Sequence, residues 1–206
     1  MFLSVDIETV PRPGIMDTWY PSWAAEKHPD KTPEELEALA ALYPEFGMVC
    51  AISVVKQVQG MPQVAAEYTA SNLEEEGHIL KDFCGRLDRG RDVVLVGHNI
   101  KGFDIPFIVK RCLAHGLFVP DCMKVAGKKP WDIPHKDTME ILKCGGFTPM
   151  SLRSACLLLG FEDPKEVCDG RKVWDLFRQG DLDKVSHYCT GDAKAAMLVY
   201  LETLKA

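Results

Sequence analysis

The chain has no Cys-x-x-Cys pair, no surplus of positive charge and no apolar run of membrane length, and each lack removes a class of protein. Its eight cysteines, at positions 50, 84, 112, 122, 144, 156, 168 and 189, lie mostly in apolar stretches, as buried free thiols do. A zinc cluster is therefore not expected. A net charge of −6 excludes a protein that coats nucleic acid through a broad basic surface, because such binding is dominated by phosphate neutralisation. It leaves room for one that handles a nucleic-acid end through bound cations, which carry much of the positive charge a phosphate needs. The longest apolar stretch, Ala193 to Leu204, is broken by Lys194 and Glu202 and falls short of a membrane span. The N-terminus lacks a basic leader and a small-residue cleavage site. A soluble, cytoplasmic protein with reduced thiols and no membrane contact is the expectation.

What is present is the make-up of an ordinary globular protein: 206 residues, 47% hydrophobic and 26% charged. A single domain over 1–206 is expected, with no linker, repeat or low-complexity tract. Phe2 to Glu8 alternates as a strand and delivers Asp6 and Glu8 to one face, because strand side chains repeat every two residues. Two carboxylates on one face raise each other's pKa and cost stability unless a cation lies between them. The stretch from about 11 to 46 reads as an irregular insertion, with one helix opening at Thr32-Pro33-Glu34-Glu35. Met48–Val58 and Gln63–Ala70 read as strands around a Gln59-Gly60 turn, making a three-stranded meander with the first strand.

Leu73, Leu80, Phe83 and Leu87 give Asn72–Arg89 a helical period, and Asp92–Val96 reads as a short buried strand closed by Gly97-His98-Asn99. Gly102–Leu117 then reads as a helix with Asp104 near its N-terminus, where the dipole favours negative charge. Asp137–Lys143 fits a strand or a helix equally. Ser151–Leu159 reads as a helix ended by Gly160, and Val173–Phe177 and Leu182–Leu204 carry helical periods.

Three motifs stand out in order: Asp6-Ile7-Glu8-Thr9, Asn99-Ile100-Lys101-Gly102-Phe103-Asp104 and Tyr188-Cys189-Thr190-Gly191-Asp192. Each is weak alone, but their order and their places at a strand end, a strand-to-helix junction and a late helix are specific. With them the chain resembles the DEDD 3′–5′ exonucleases of RNase H-like fold, especially the DEDDy branch and the exonuclease domain of B-family DNA polymerases. The resemblance implies an α/β fold with a mixed five-stranded sheet, its first three strands antiparallel, flanked by helices. It implies two divalent cations, Mg2+ or Mn2+, held by Asp6, Glu8, Asp104 and Asp192, with Asp6 bridging both.

Phosphodiester hydrolysis needs a water made nucleophilic at neutral pH and a counter-charge for the leaving oxygen, and a pair of cations about 4 Å apart supplies both. Hard cations prefer carboxylate oxygens, so four acids from three distant segments suit the task. The resemblance casts Tyr188 as the group that orients the attacking water. His187 has the spacing of the sister DEDDh branch; on a continuous helix it is turned about 100° from the face that Tyr188 shares with Asp192. Relatives suggest substrate contacts from Thr9, through its backbone at the 3′ hydroxyl, and from Phe103. Asn99 stands either with them or as a tie at the strand end.

Blander readings accompany these. Asp104 alone reads as a helix cap, His98 as a histidine packed at a strand end, Asp137 as structural, and Lys124, Lys128, Lys129 and Trp131 as a solvated loop rather than a phosphate grip. The substrate expected is a nucleic-acid 3′ end, single-stranded DNA before RNA, with a polymerase or repair partner acting in trans. The alternatives are an RNA 3′-end trimming enzyme and a noncatalytic nucleic-acid or protein-binding module of the same fold.

Overall fold

The computed structural model describes residues 1–89, 92–163 and 172–205. Strand β1 (Phe2–Pro11) is followed by helices α1 (Tyr20–Lys27) and α2 (Pro33–Leu39) and then by strands β2 (Gly47–Val58) and β3 (Met61–Thr69). Helix α3 (Leu73–Arg89) leads to β4 (Val94–Gly97), α4 (Asp104–Ala114) and the short β5 (Lys136–Asp137). Helices α5 (Thr138–Leu142), α6 (Leu152–Leu159), α7 (Val173–Arg178) and α8 (Leu182–Thr203) complete the described chain. The sheet runs β3-β2-β1-β4-β5, antiparallel across its first three strands in sequence and parallel across β1-β4-β5. This is the mixed five-stranded sheet expected from the sequence.

Period-two alternation in β1 decides the layering. Leu3, Val5 and Ile7 enter a core shared with Leu80 and Phe83 of α3 and Ile105 and Ile108 of α4. Ser4, Asp6 and Glu8 take the opposite face, which α8 crosses. Burying a side chain the size of Leu80 or Phe83 stabilises by about 1.5–3 kcal/mol, so the α3 and α4 layer is firmly seated. Among the described residues no helix is long and apolar enough to cross a membrane.

The turn between β2 and β3 has φ of +51° at Gln59 and +83° at Gly60, the left-handed pair that suits a two-residue hairpin. The segment before β2 carries two α-helices where the sequence pattern showed one. The expected helix is α2, whose Thr32 and Glu35 form a reciprocal capping box. Helix α1 was missed because its apolar stripe is weak; it is held by tertiary packing of Tyr20 and Trp23 on Phe46 and Tyr43. The ambiguous 137–143 stretch is both a strand and a helix, with the Asp137 carboxylate capping α5 by accepting from Met139 and Glu140 N–H. Helix α4 starts at Asp104 rather than Gly102 because Asn99, at φ +66°, folds the chain into a turn whose carbonyl accepts from Gly102 and Phe103 N–H. Cys168 lies outside the described residues.

Candidate active site

Beyond Ser4, β1 has no β4 partner, since the parallel pairing covers only Phe2 to Ser4. The strand therefore projects past its neighbour and exposes polar backbone on that edge. Asp104 answers this: its Oδ1 accepts from Ile7 N–H at 3.2 Å. On the other side of β1 the register with β2 slips by one residue between Glu8 and Thr9. A bulge of this kind bends and twists the strand that carries the extra residue, here β2 at Cys50, opposite the end of the first motif.

Asp6, Glu8 and Asp192 each present a carboxylate oxygen within 4.8 Å of the others. Asp6 and Glu8 are near neighbours on β1, but 183 residues or more of chain separate them from Asp192, so α8 must be docked accurately on β1. Three contacts of α8, one to each of β1, β3 and β2, accomplish this. Cys189 Sγ donates to the Asp6 carbonyl at 3.2 Å. Thr190 Oγ1 donates to Glu67 of β3 at 2.5 Å, which leaves Ser53 Oγ of β2 as the donor to Thr190 at 2.7 Å. Cys50 Sγ likewise donates to the Glu8 carbonyl at 3.4 Å. Burial pushes both thiols well up, so they remain protonated donors beneath the carboxylates. Sequence reading saw these cysteines as buried and nothing more, because no spacing rule marks a thiol that meets a carbonyl from another segment.

The electrostatics are those of like charges crowded together. Burial, and then repulsion from Glu8, Asp192 and Asp104, raises Asp6 well above the usual carboxylate range. Asp104 is pushed up to about 7, mainly by burial, against the lowering effect of hydrogen bonds from its own and the Ile7 backbone N–H. Asp104 stands outside the compact trio, although its charge acts on Asp6 and feels Asp192. Tyr188 is buried and its hydroxyl is pushed far up by burial and by Asp192, Glu8 and Asp6, with a hydrogen bond to Asp192 adding to the effect. It stays a protonated phenol.

His187 goes elsewhere: with Gly191 and Lys194 it lines a cavity of about 740 Å³ that none of the three clustered carboxylates borders. Thr9 commits its hydroxyl to the Ala41 carbonyl at 2.8 Å, tying the strand to the segment before β2. Asn99 N–H donates to Asp137 at 2.9 Å, and Phe103 packs on Phe107 with ring centroids 5.4 Å apart. His98 bridges the Thr138 hydroxyl at 2.9 Å and the Met150 carbonyl at 2.8 Å. Lys129 covers the Trp131 ring at 5.4 Å, and both precede β5 in the chain.

Acids brought by β1, α4 and α8 to the carboxyl edge of this sheet belong to the RNase H-like exonuclease class of fold. More particularly, residues 42–206 match the family described as predicted 3′-5′ exonuclease related to the exonuclease domain of PolB, and the chain belongs to that family. That span contains Asp104, Tyr188 and Asp192; Asp6 and Glu8 precede it. The structure is similar to that of the family B DNA polymerase from the hyperthermophilic archaeon Pyrobaculum calidifontis, with a TM-score of 0.59 and 18% identity. The likeness covers 98% of this chain and 24% of the polymerase, so this chain spans about a quarter of that protein's length. No curated protein matches the sequence.

Proposed function

We propose that this protein is a two-metal-ion 3′–5′ exonuclease acting on single-stranded nucleic acid, DNA before RNA. The observation that carries the reading is the meeting of Asp6, Glu8 and Asp192 oxygens within 4.8 Å. Clustered, partly buried carboxylates without nitrogen or sulfur donors suit a hard divalent cation such as Mg2+ or Mn2+. The raised Asp6 fits as well, since a bound cation removes the repulsion that raises it. Asp6, Glu8 and Asp192 would hold these ions, with Asp104 supporting the second. When bound, they would lower the pKa of water and neutralise charge on the departing oxygen.

The chain's own groups divide the remaining work. Tyr188, one turn before Asp192 on α8, stays protonated and hydrogen-bonds to Asp192, so as a phenol held at the acids it would orient the attacking water rather than remove its proton. His187 lines a different cavity, which supports giving this role to Tyr188. Asp104 keeps the free edge of β1 in place through Ile7 N–H. Thr9, Asn99 and Phe103 form the surroundings in which a terminal nucleotide would lie. The seven cysteines among the described residues are free, which suits a cytoplasmic location.

The test is digestion of 5′-labelled single-stranded DNA and RNA oligonucleotides in Mn2+, Mg2+ or chelator. The expected result is a metal-dependent ladder that shortens from the 3′ end and is lost in Asp6→Ala. Tyr188→Phe should slow it by about 10²-fold or more, the scale of a positioned proton-handling group, with His187→Ala close to wild type. Absence of cleavage with every metal and both substrates would refute the enzyme reading. Equal loss in His187→Ala would overturn the assignment of Tyr188.

A further inference from the structure

Three of the described thiols meet oxygen: Cys50, Cys189 and Cys144 each donate to a backbone carbonyl. Cys84 and Cys112 meet each other. Their sulfurs stand 3.5 Å apart between α3 and α4, at a chain separation of 28 residues. Both side chains belong to the main core, with Leu80, Leu87 and Ile108. Two turns before Cys84, Glu76 grips Arg111, the residue before Cys112, at 2.6 Å. A buried ion pair thus fixes the two helices against each other close to the sulfurs.

Cys84 is also the sulfur that a small solute reaches. It borders a surface cavity of about 560 Å³ rimmed by the exposed His78, Lys81 and Arg89, with Gly85 and Leu117 in its wall. Cys112 lies behind it, fully buried and outside that wall. Cys122 borders a different cavity, with Asp88 and Pro120. Either sulfur of the pair can carry the proton between them. Cys112, lowered by the hydrogen bond it accepts from Cys84, is the first to give up its own proton, while the same bond raises Cys84. Passing the Cys84 proton across the contact then leaves a thiolate at the cavity wall, and the thiolate is the reactive form.

We propose that Cys84 and Cys112 are a redox couple, closed to a disulfide by hydrogen peroxide, that reversibly staples α3 to α4. The Cys84 thiolate attacks one peroxide oxygen and the O–O bond breaks, leaving Cys84 as a sulfenic acid. The departing hydroxide takes up the proton that the pair first released and becomes water. The Cys112 sulfur then attacks the Cys84 sulfur; the S–S bond forms, the S–O bond breaks, and hydroxide leaves with the Cys112 proton as a second water. Two thiols have lost two electrons and two protons, and the peroxide has become two waters. The link closes a loop between residues 28 apart and so restricts the unfolded chain. It also secures α4, whose first residue is Asp104. In a reducing compartment such a bond forms only while oxidant is present and is undone by thiol exchange. The couple needs nothing of the exonuclease chemistry.

The test treats the full chain, folded and reduced beforehand, with a small excess of hydrogen peroxide. Remaining thiols are blocked with iodoacetamide in denaturant, and the digest is mapped by mass spectrometry. The expected product is a linked peptide holding Cys84 and Cys112, lost on adding dithiothreitol. The melting temperature of the oxidised protein should rise by roughly 5–15 °C, the scale of one disulfide in a chain of this size. Cys112→Ala should stop at the sulfenic acid, trapped on Cys84 by dimedone, and Cys122→Ser should link as wild type does. The wild-type map decides even where the alanine variant fails to fold. Cys84 and Cys112 recovered as separate alkylated thiols, while the exposed Cys144 is oxidised, would overturn the couple. So would a link between Cys84 and Cys122, or a Cys84–Cys112 link that forms only in denaturant. A linked pair with no rise in melting temperature would overturn the staple.

Discussion

Asp104 and Asp6 are held in a protonation state that unfolding would release. An unfolded aspartate titrates near 3.9, whereas Asp104 in the fold is pushed up to about 7 and Asp6 is also raised. Between about pH 4 and 7 the native chain binds the extra proton, so its stability falls as pH rises through that window; the loss is complete above the native value. Thermal denaturation in chelator should show the melting temperature declining from pH 5 to 7.5, and Asp104→Asn should flatten that decline. A melting temperature rising across this window, with the variant parallel to wild type, would contradict the raised value. The pairing of Asp6 with Glu8 was legible because strand periodicity is a local property. Asp104's second partner was not, since the unpaired Ile7 N–H exists only where β4 ends short of β1.

At the scale of elements, the least legible feature is Glu76. It is fully buried on α3, where an apolar residue would complete the period of Leu73, Leu80, Phe83 and Leu87. The carboxylate accepts from Val49 N–H at 2.7 Å, from Arg111 Nε at 2.9 Å and Nη2 at 2.6 Å, and pairs with His115 Nε2 at 2.7 Å. Arg111 also donates to the Pro44 carbonyl at 3.1 Å. One ion pair thus clamps α3, α4 and the start of β2 together, and fixes the helix that begins with Asp104. Removing one partner leaves an uncompensated buried charge, so Glu76→Ala should lose about 3–5 kcal/mol, read from the denaturant midpoint. A loss below about 1 kcal/mol would mean that the clamp is solvated. The gap in the apolar period was a visible signal, but only packing reveals which cation fills it.

Gly97 makes the same argument for backbone. A Cβ there would sit 2.7 Å from Ile100 Cβ and 3.0 Å from the Val5 carbonyl. Gly97→Ala should therefore push the second motif off β1, costing about 1–3 kcal/mol as overpacked sites do. Chemical denaturation checks this, and an unchanged midpoint would show that the turn at Asn99 can give way.

For the whole molecule, a bound divalent cation would join residues 6 and 8 to residue 192 and so act as a staple between the chain's two ends. Binding to the native state alone stabilises by about 2.7 kcal/mol at a hundredfold excess over the dissociation constant. Mn2+ should accordingly raise the melting temperature, more at pH 7.5 than at pH 5, where protons compete for the carboxylates, and chelator should reverse the gain. Asp192→Ala should show little response, and an equal rise in that variant would place the ion elsewhere. By itself the sequence determined what repeats at short range: the alternation of β1, the apolar faces of α3 and α8, the Gln59-Gly60 turn, the α2 capping box and three acidic motifs in order. These follow from side-chain periods of two and of 3.6 residues, which need no partner. Tertiary structure alone decided that Asp192 meets Asp6, that Thr190 bridges Ser53 and Glu67, and that α1 forms at all. Such outcomes depend on which surfaces exclude water together, and desolvation is a property of the packed chain, invisible in any short window of sequence.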